Sequence, residues 1–326
     1  MRNHSSVWGA IFLRKIGRER MSSDRPLLGI ALMLGFCVLA PLLDVCAKLA
    51  AEAVPVGQIV LARFFGQGIL MLAPVLIMGF GLAIARSLVG LVALRGVLLI
   101  LSTYCFVAAV AVMPIADALA IAFVEPFLIL YAGKLLFGEE VGPRRLIAAT
   151  VGFVGVLMVI QPSFQAFGAV ALFPLGTAVT FAAYMIVTRR LAQHMHPVPM
   201  QFHTSWISAL ICLPVLLAGQ WRGWPNLDPI WPEGVFWVWL AGVGVFAAIS
   251  HMMMTYALRF APSATLAPLH YLEIVSAVVL GFLIFGDFPN ALALSGIIVI
   301  LGSGLYVIHR DRQLERKARM PLPAQP

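Results

Sequence analysis

Long apolar runs, separated by short polar breaks, make up nearly the whole chain. Ten of them are predicted as helices, at about 27–47, 57–78, 96–113, 114–136, 146–160, 168–188, 201–218, 235–258, 263–285 and 291–308. Most approach the roughly 20 residues a helix needs to cross a ~30 Å hydrocarbon core. The run 146–160 is short for that and is expected to extend or to sit among other helices. The third and fourth runs meet at Met113-Pro114, so the turn there must be tight. A proline suits it, because the first turn of a helix does not use the missing N–H.

One stretch occurs twice. Pro114 to Glu140 reads as a single apolar helix with a lone carboxylate, Glu125, near its middle and a Phe-Gly-Glu-Glu stop. Shifted by 148 residues it falls on Pro262 to Phe288: Pro114 on Pro262, Glu125 on Glu273, and Phe137-Gly138-Glu139 on Phe285-Gly286-Asp287. The register holds without a gap from Gly96 on Gly244 to Ile160 on Ile308. Similarity between two hydrophobic halves is a signature of membrane transporters.

The composition agrees. Of 326 residues, 61% are hydrophobic and 11% charged, with mean hydropathy +0.97. A soluble domain carries about 25% charged residues, so this chain has too few to cover its own surface. The net charge of +8 is no nucleic-acid footprint, because the basic residues sit at the ends of apolar runs. With the N-terminus inside, 17 of the 22 Lys and Arg residues fall in inner connections and tails. That bias places both termini in the cytoplasm. Ten spans then divide five and five, and an odd number makes the second half cross in the opposite sense. The expected fold is therefore all-α and integral to the membrane, ten transmembrane helices as two inverted five-helix repeats. Residues 1–26 are a cytoplasmic extension, 27–160 the first repeat, 161–167 the hinge, 168–308 the second repeat and 309–326 a basic tail. Met21 precedes the first run and is an alternative start to Met1. Trp221, Trp224 and Trp231 in the longest outer loop suit the headgroup layer. Cys37, Cys46, Cys105 and Cys212 lack metal-ligand spacing and read as packing residues.

The repeated pattern of proline, small residues, a polar mid-helix position and a terminal Phe-Gly-acid resembles the EamA-type members of the drug/metabolite transporter superfamily. The resemblance covers about 27–308. It implies a bundle with a cavity between the halves and alternating access to it, carrying amino acids, nucleobases, vitamins or other metabolites inward or outward. A weaker resemblance, to bacterial riboflavin importers, rests on DRPLLGIALML from Asp24, PLLDVCAKLAA from Pro41, PVGQIVLARF from Pro55 and AIAFVEPF from Ala120. It makes riboflavin the leading single substrate.

Ionisable groups inside a span cost about 2.5–3.5 kcal/mol each on insertion scales and mark candidate sites. Glu125 and Glu273 each lie eleven residues beyond the proline that starts their run. At about 1.5 Å per residue, that is half the membrane thickness from opposite sides. They are the first candidates for substrate binding or proton coupling; the alternative is that each only ties neighbouring helices together. Pro126 leaves the Ala122 carbonyl without its helical donor, a bend beside the site. His270 shares a helix face with Glu273. His251 and His203 are interior histidines, candidates or packing residues alike. Tyr104, Tyr131, Tyr184, Tyr256 and Tyr271 are aromatics with polar ends, suited either to stacking a flat ligand or to the core. Asp44 and Lys48, at i and i+4, read as a self-neutralising pair at the outer end of the first run, with gating as the alternative. Arg63 lies too deep to be an anchor; contact with a substrate anion and pairing with Asp44 or Glu125 are both open. Asp117 sits in a first turn, where the helix dipole favours an anion. Arg95, Lys134, Glu139 and Glu140 read as inner helix ends without chemistry.

Gly242-Val-Gly244-Val-Phe-Ala247 has dinucleotide-fingerprint spacing but no βαβ context, and serves close helix packing instead. No phosphate-binding loop accompanies Lys134, so ATP is not the energy source. No metal, no cofactor and no nucleic acid is called for. The expected partners are a small-molecule substrate and the lipid bilayer, with protons as coupling ion and a monomer or homodimer as the assembly. The expected location is the bacterial cytoplasmic membrane. A membrane-embedded enzyme would need His, Asp or Ser clustered at one interface, which the sequence lacks, so the chain is not read as an enzyme. A non-transporting membrane partner would not need carboxylates at matched depth. Within the transporter reading, riboflavin uptake leads and export of amino acids, drugs or other metabolites is the alternative.

Overall fold

The structure is a computed structural model and describes residues 26–125, 127–128, 143–191, 194–260, 269 and 271–319. Among them are ten α-helices and no strands: α1 (Pro26–Ala50), α2 (Val56–Ile77), α3 (Arg86–Val110), α4 (Ile115–Ala122), α5 (Pro143–Phe167), α6 (Phe173–Leu191), α7 (Pro197–Arg222), α8 (Phe236–Phe260), α9 (Leu272–Phe285) and α10 (Ala291–Arg319). A short 3-10 helix, Gly168–Leu172, joins α5 to α6.

Prolines and glycines set the ends. Pro55 and Pro114 occupy the cap positions of α2 and α4, where their fixed φ is already close to helical. Gly223 and Gly286 close α7 and α9 in the left-handed region, at φ 66° and 71°, which glycine enters without a Cβ penalty. The Phe-Gly-acid stop of the second repeat is thus a glycine helix cap. Its counterpart at Phe137-Gly138-Glu139 lies outside the described residues.

Among the described residues, six apolar helical stretches are long enough to cross a membrane, one of them the 39-residue run Thr150–Thr188 through α5, the 3-10 helix and most of α6. α9 and the apolar part of α10 are shorter. Large aliphatic side chains such as Ile77, Leu210, Leu217, Leu283 and Ile298 are exposed on the outside. An apolar exterior of this extent meets lipid rather than water. The chain is a multi-pass membrane protein.

The helices pack in a reciprocal scheme. α1 lies along α8, α3 along α6, α2 along α7, α4 along α9 and α5 along α10. One core joins α1, α2, α3, α6, α7 and α8 around Ile59, Phe64, Leu99, Tyr184 and Val243. A second joins α4, α5, α9 and α10 around Ile121, Val156, Ile274 and Ile300. Where α2 crosses α8, Gly66 faces Gly244; a Cβ added to either would stand 3.0 Å from the other's Cα. Gly242 is likewise pressed on Cys46. The glycines of the rejected fingerprint therefore bring two helices into contact.

Three expected boundaries move. α3 begins at Arg86, ten residues before the expected 96, so Arg95 lies well inside the helix instead of at its end. The stretch Gln161–Phe167, expected as the hinge, continues α5, and the chain turns at Gly168, whose φ is 65°. The fourth run does not continue unbroken to Glu125: α4 ends at Ala122, Phe123 and Val124 form a turn, and the Val124 N–H tightens onto the Ile121 carbonyl at 3.3 Å. A proline at 126 supplies no N–H to carry the ladder through this point. In the second half α9 begins at Leu272 with Tyr271 as its cap, and residues 261–268 and 270 before it lie outside the described residues.

Candidate functional site

Both halves deliver a carboxylate to the same place. Glu125 follows the turn that ends α4, and Glu273 lies in the first turn of α9. Both line a central cavity of about 110 Å³. Asp44 from α1, Arg63 from α2 and His251 from α8 line it too. These five ionisable side chains are each between 5% and 9% exposed. Phe36, Phe106, Phe123 and Phe181 give the cavity aromatic walls.

Arg63 is the hub. Its guanidinium donates to Thr103 Oγ1 on α3 and to His251 Nε2 at 2.7 Å. Guanidinium has no acceptor, so His251 Nε2 must accept and its proton sits on Nδ1. Thr103 donates a hydrogen bond from its own hydroxyl to the Leu99 carbonyl at 2.7 Å. Two N–H groups are left over: Arg63 Nε and His251 Nδ1 are buried and have no partner among the described residues. A buried donor without an acceptor costs about 1–3 kcal/mol, and a ligand acceptor entering the cavity would remove that cost. Asp44 lies within electrostatic reach of both Arg63 and Glu273. The cavity thus offers three carboxylates, one guanidinium and two unsatisfied donors.

Not every expected residue is there. Asp44 does not pair with Lys48. It turns into the cavity, while Lys48 reaches Asp287 at 2.8 Å and the Met113 carbonyl at 3.2 Å. The long-range partner displaces the local one because it adds a backbone acceptor and the face of Phe285, whose centroid is 4.6 Å from Lys48 Nζ. Tyr271 packs into the core against Phe123, ring centroids 5.4 Å apart, and is not part of the lining. Tyr104 meets the side chain of Asn226 in the loop after α7. His203 stacks edge-on to Phe202. Asp117 lies in the first turn of α4 and accepts from Ser163 at 3.2 Å. His270, Tyr131, Lys134, Glu139 and Glu140 lie outside the described residues.

Sequence reasoning missed Ser102, Thr103 and Thr177, which supply small polar groups to the lining. Nothing marks a serine or threonine in an apolar run as a site residue. It also missed Arg95, which is fully buried and hydrogen-bonded to α6 and α7. Its signal was present, an arginine inside an apolar run, but the misplaced start of α3 hid it.

The model of the EamA-like transporter family matches residues 27–161 and again residues 168–308. The riboflavin transporter of Brucella anthropi is 24% identical over 88% of this chain and 100% of its own length. The S-adenosylmethionine uptake transporter of Rickettsia prowazekii is 23% identical over 87% of this chain and 94% of its own. A crystal structure of 20% identity superposes with a TM-score of 0.60, covering 89% of this chain and 98% of that one, and shares the fold.

Proposed function

The chain belongs to the EamA-like transporter family, and from that premise we propose that it is a secondary transporter of a small metabolite. It has ten transmembrane helices in two inverted repeats, lies in a bacterial cytoplasmic membrane with both termini inside, and works by alternating access. The reciprocal helix pairing supports the repeats. Exchanging each helix of the first half for its equivalent in the second turns α1 on α8 into α6 on α3 and leaves the other three pairs unchanged. Supporting the site is one observation above the rest: the cavity where both halves place a carboxylate also holds two buried donors, Arg63 Nε and His251 Nδ1, without a partner among the described residues. Glu125, Glu273, Asp44, Arg63 and His251 are its substrate-binding residues, and the two glutamates are also its candidate proton carriers.

Riboflavin uptake is the leading specific reading. A flavin ring brings carbonyl and ring-nitrogen acceptors for the two donors, an imide N–H for a carboxylate, and a flat face for the phenylalanines. A second reading is favoured by the excess of carboxylates over guanidinium in the lining: a cationic metabolite, of which a sulfonium compound such as S-adenosylmethionine is an instance. The test is thermal stabilisation of the purified protein in detergent by flavins, sulfonium compounds, amino acids and nucleobases, followed by uptake into vesicles. A ligand that binds only the folded state raises its apparent stability. Stabilisation by riboflavin, lost in Glu125→Gln or Glu273→Gln, supports flavin uptake. Stabilisation by the sulfonium compound alone replaces it with the second reading, and stabilisation by none of them removes both.

A further inference from the structure

Two charged assemblies outside the substrate lining bridge the halves. The first is built on Arg95 of α3, whose side chain is completely buried. Its Nε donates to Thr188 Oγ1 at 2.9 Å, and its two terminal nitrogens donate to Thr204 Oγ1 at 2.5 Å, Tyr184 OH at 2.5 Å and Gln201 Oε1 at 3.1 Å. The guanidinium also lies over the Tyr184 ring, 4.6 Å from its centroid. All these acceptors are neutral, and all come from α6 and α7. The second assembly is Lys48 of α1, held by Asp287 just beyond α9 and by the Met113 carbonyl between α3 and α4. It is only partly buried, at 16% and 30% exposure for the two side chains.

Helix α3 gives their relative position. Arg95 is its tenth residue and Met113 lies just past its end. From Arg95 to Val110 the helix rises roughly 22 Å. Between these levels the same helix presents Leu99, Ser102, Thr103, Phe106 and Val107 to the cavity. The other contacts agree: Thr188 is in the last turn of α6 and Gln201 and Thr204 are in the first two turns of α7, whereas Lys48 is in the last turn of α1. The cavity lies between the two assemblies, and each assembly ties one half to the other.

We propose that these are the two gates of the cavity: the Arg95 cluster closes one end, and the Lys48–Asp287 pair closes the other. The proposal rests on the transporter reading. Its chemistry follows from the acceptors. Water can replace a hydroxyl or an amide oxygen one for one, so Arg95 can leave α6 and α7 when that end opens and be hydrated in place. A buried carboxylate partner would hold it shut, because separating the pair strands two charges. The Lys48 pair is already partly wet and parts with a smaller change in surroundings.

The test uses the full-length protein with Ala40→Cys in the cavity wall, labelled with a membrane-impermeant maleimide in right-side-out and inside-out vesicles. Labelling of the four native cysteines is measured on the parent chain. Slow labelling from both faces is expected before any gate is altered. Arg95→Gln should then raise the rate several-fold from one face only, and Lys48→Gln several-fold from the opposite face only. Arg95→Lys, which keeps the charge but loses the planar fork, should fall between. The swap Lys48→Asp with Asp287→Lys should return labelling to the starting rate. If Arg95→Gln does not fold, Tyr184→Phe and Thr204→Val each remove one acceptor and should shift labelling the same way. Enhancement from the same face by both sets of variants, or no change in either, overturns the gate assignment. No labelling of the cavity cysteine from either face, in the parent or in any gate variant, removes the transporter reading with it.

Discussion

Thr103→Val isolates the hub of the cavity. Valine has nearly the shape of threonine, so no void opens; only the hydroxyl is lost. In the native arrangement that hydroxyl accepts from Arg63 and donates to the Leu99 carbonyl. The Leu99 carbonyl is part of the α3 ladder and loses a second bond only. Arg63 is different: with its Nε already unpartnered, it would have a second buried donor exposed to nothing. Leaving such a donor unsatisfied costs about 1–3 kcal/mol. For a domain of about 150–250 residues each kcal/mol lowers Tm by about 2–4 °C, so a fall of a few degrees in detergent is expected, with weaker substrate binding as the guanidinium loses its aim. The decisive assay is a double-mutant cycle with Arg63→Met, read by thermal unfolding. In the Arg63→Met background the valine should cost almost nothing, giving a coupling energy of about 1–2 kcal/mol. Additivity of the two substitutions within about 0.5 kcal/mol would refute the claim that Thr103 holds Arg63.

Glu125→Gln and Glu273→Gln should each lower uptake about tenfold or more, the loss of one charged hydrogen bond worth about 1.5–3 kcal/mol, with unfolding temperatures near the parent's. Parent rates in both would remove the carboxylates from the site. Tyr104→Phe should leave the Michaelis constant for uptake unchanged, because that hydroxyl meets Asn226 and not the cavity; a clear rise would place it in the substrate path. Gly304→Ala should destabilise by about 1–3 kcal/mol, since the new Cβ would stand 2.2 Å from the Tyr271 ring. A parent-like unfolding temperature would show that α10 can move away from Tyr271 freely.

Local rules carried much of the reading and failed at identifiable places. The tight turn at Met113-Pro114 and the glycine cap at Gly286 follow from residue chemistry alone, and both are present. So is the convergence of the two matched carboxylates on one cavity. The Asp44–Lys48 pair obeyed the helix-neighbour rule on paper, but Lys48 found Asp287, 239 residues away. No inspection of α1 reveals that partner. Arg95 was placed at a helix end because a charge usually ends an apolar run; here four neutral groups 89 to 109 residues later make its burial tolerable. The break before Glu125 was visible only as a bend, because the missing donor at Pro126 says that the ladder is weakened, not that it will stop.

The Arg95 cluster has a consequence for how the protein is made. Arg95 enters the membrane before the residues that satisfy it exist, since the first of them, Tyr184, follows it by 89 positions. At about 5–20 residues per second of synthesis, α3 waits roughly 5–20 s for its first partner, then longer for α7. During that interval the apolar remainder of α3 alone must hold an arginine costing about 2.5–3.5 kcal/mol on insertion scales. Nascent chains stalled before α6 should therefore insert α3 poorly, and Arg95→Leu should correct it. Equal insertion of both stalled chains would show that α3 needs no help from the second half. The first repeat is then an unfinished folding unit, one that the ribosome leaves charged and incomplete until the second repeat arrives.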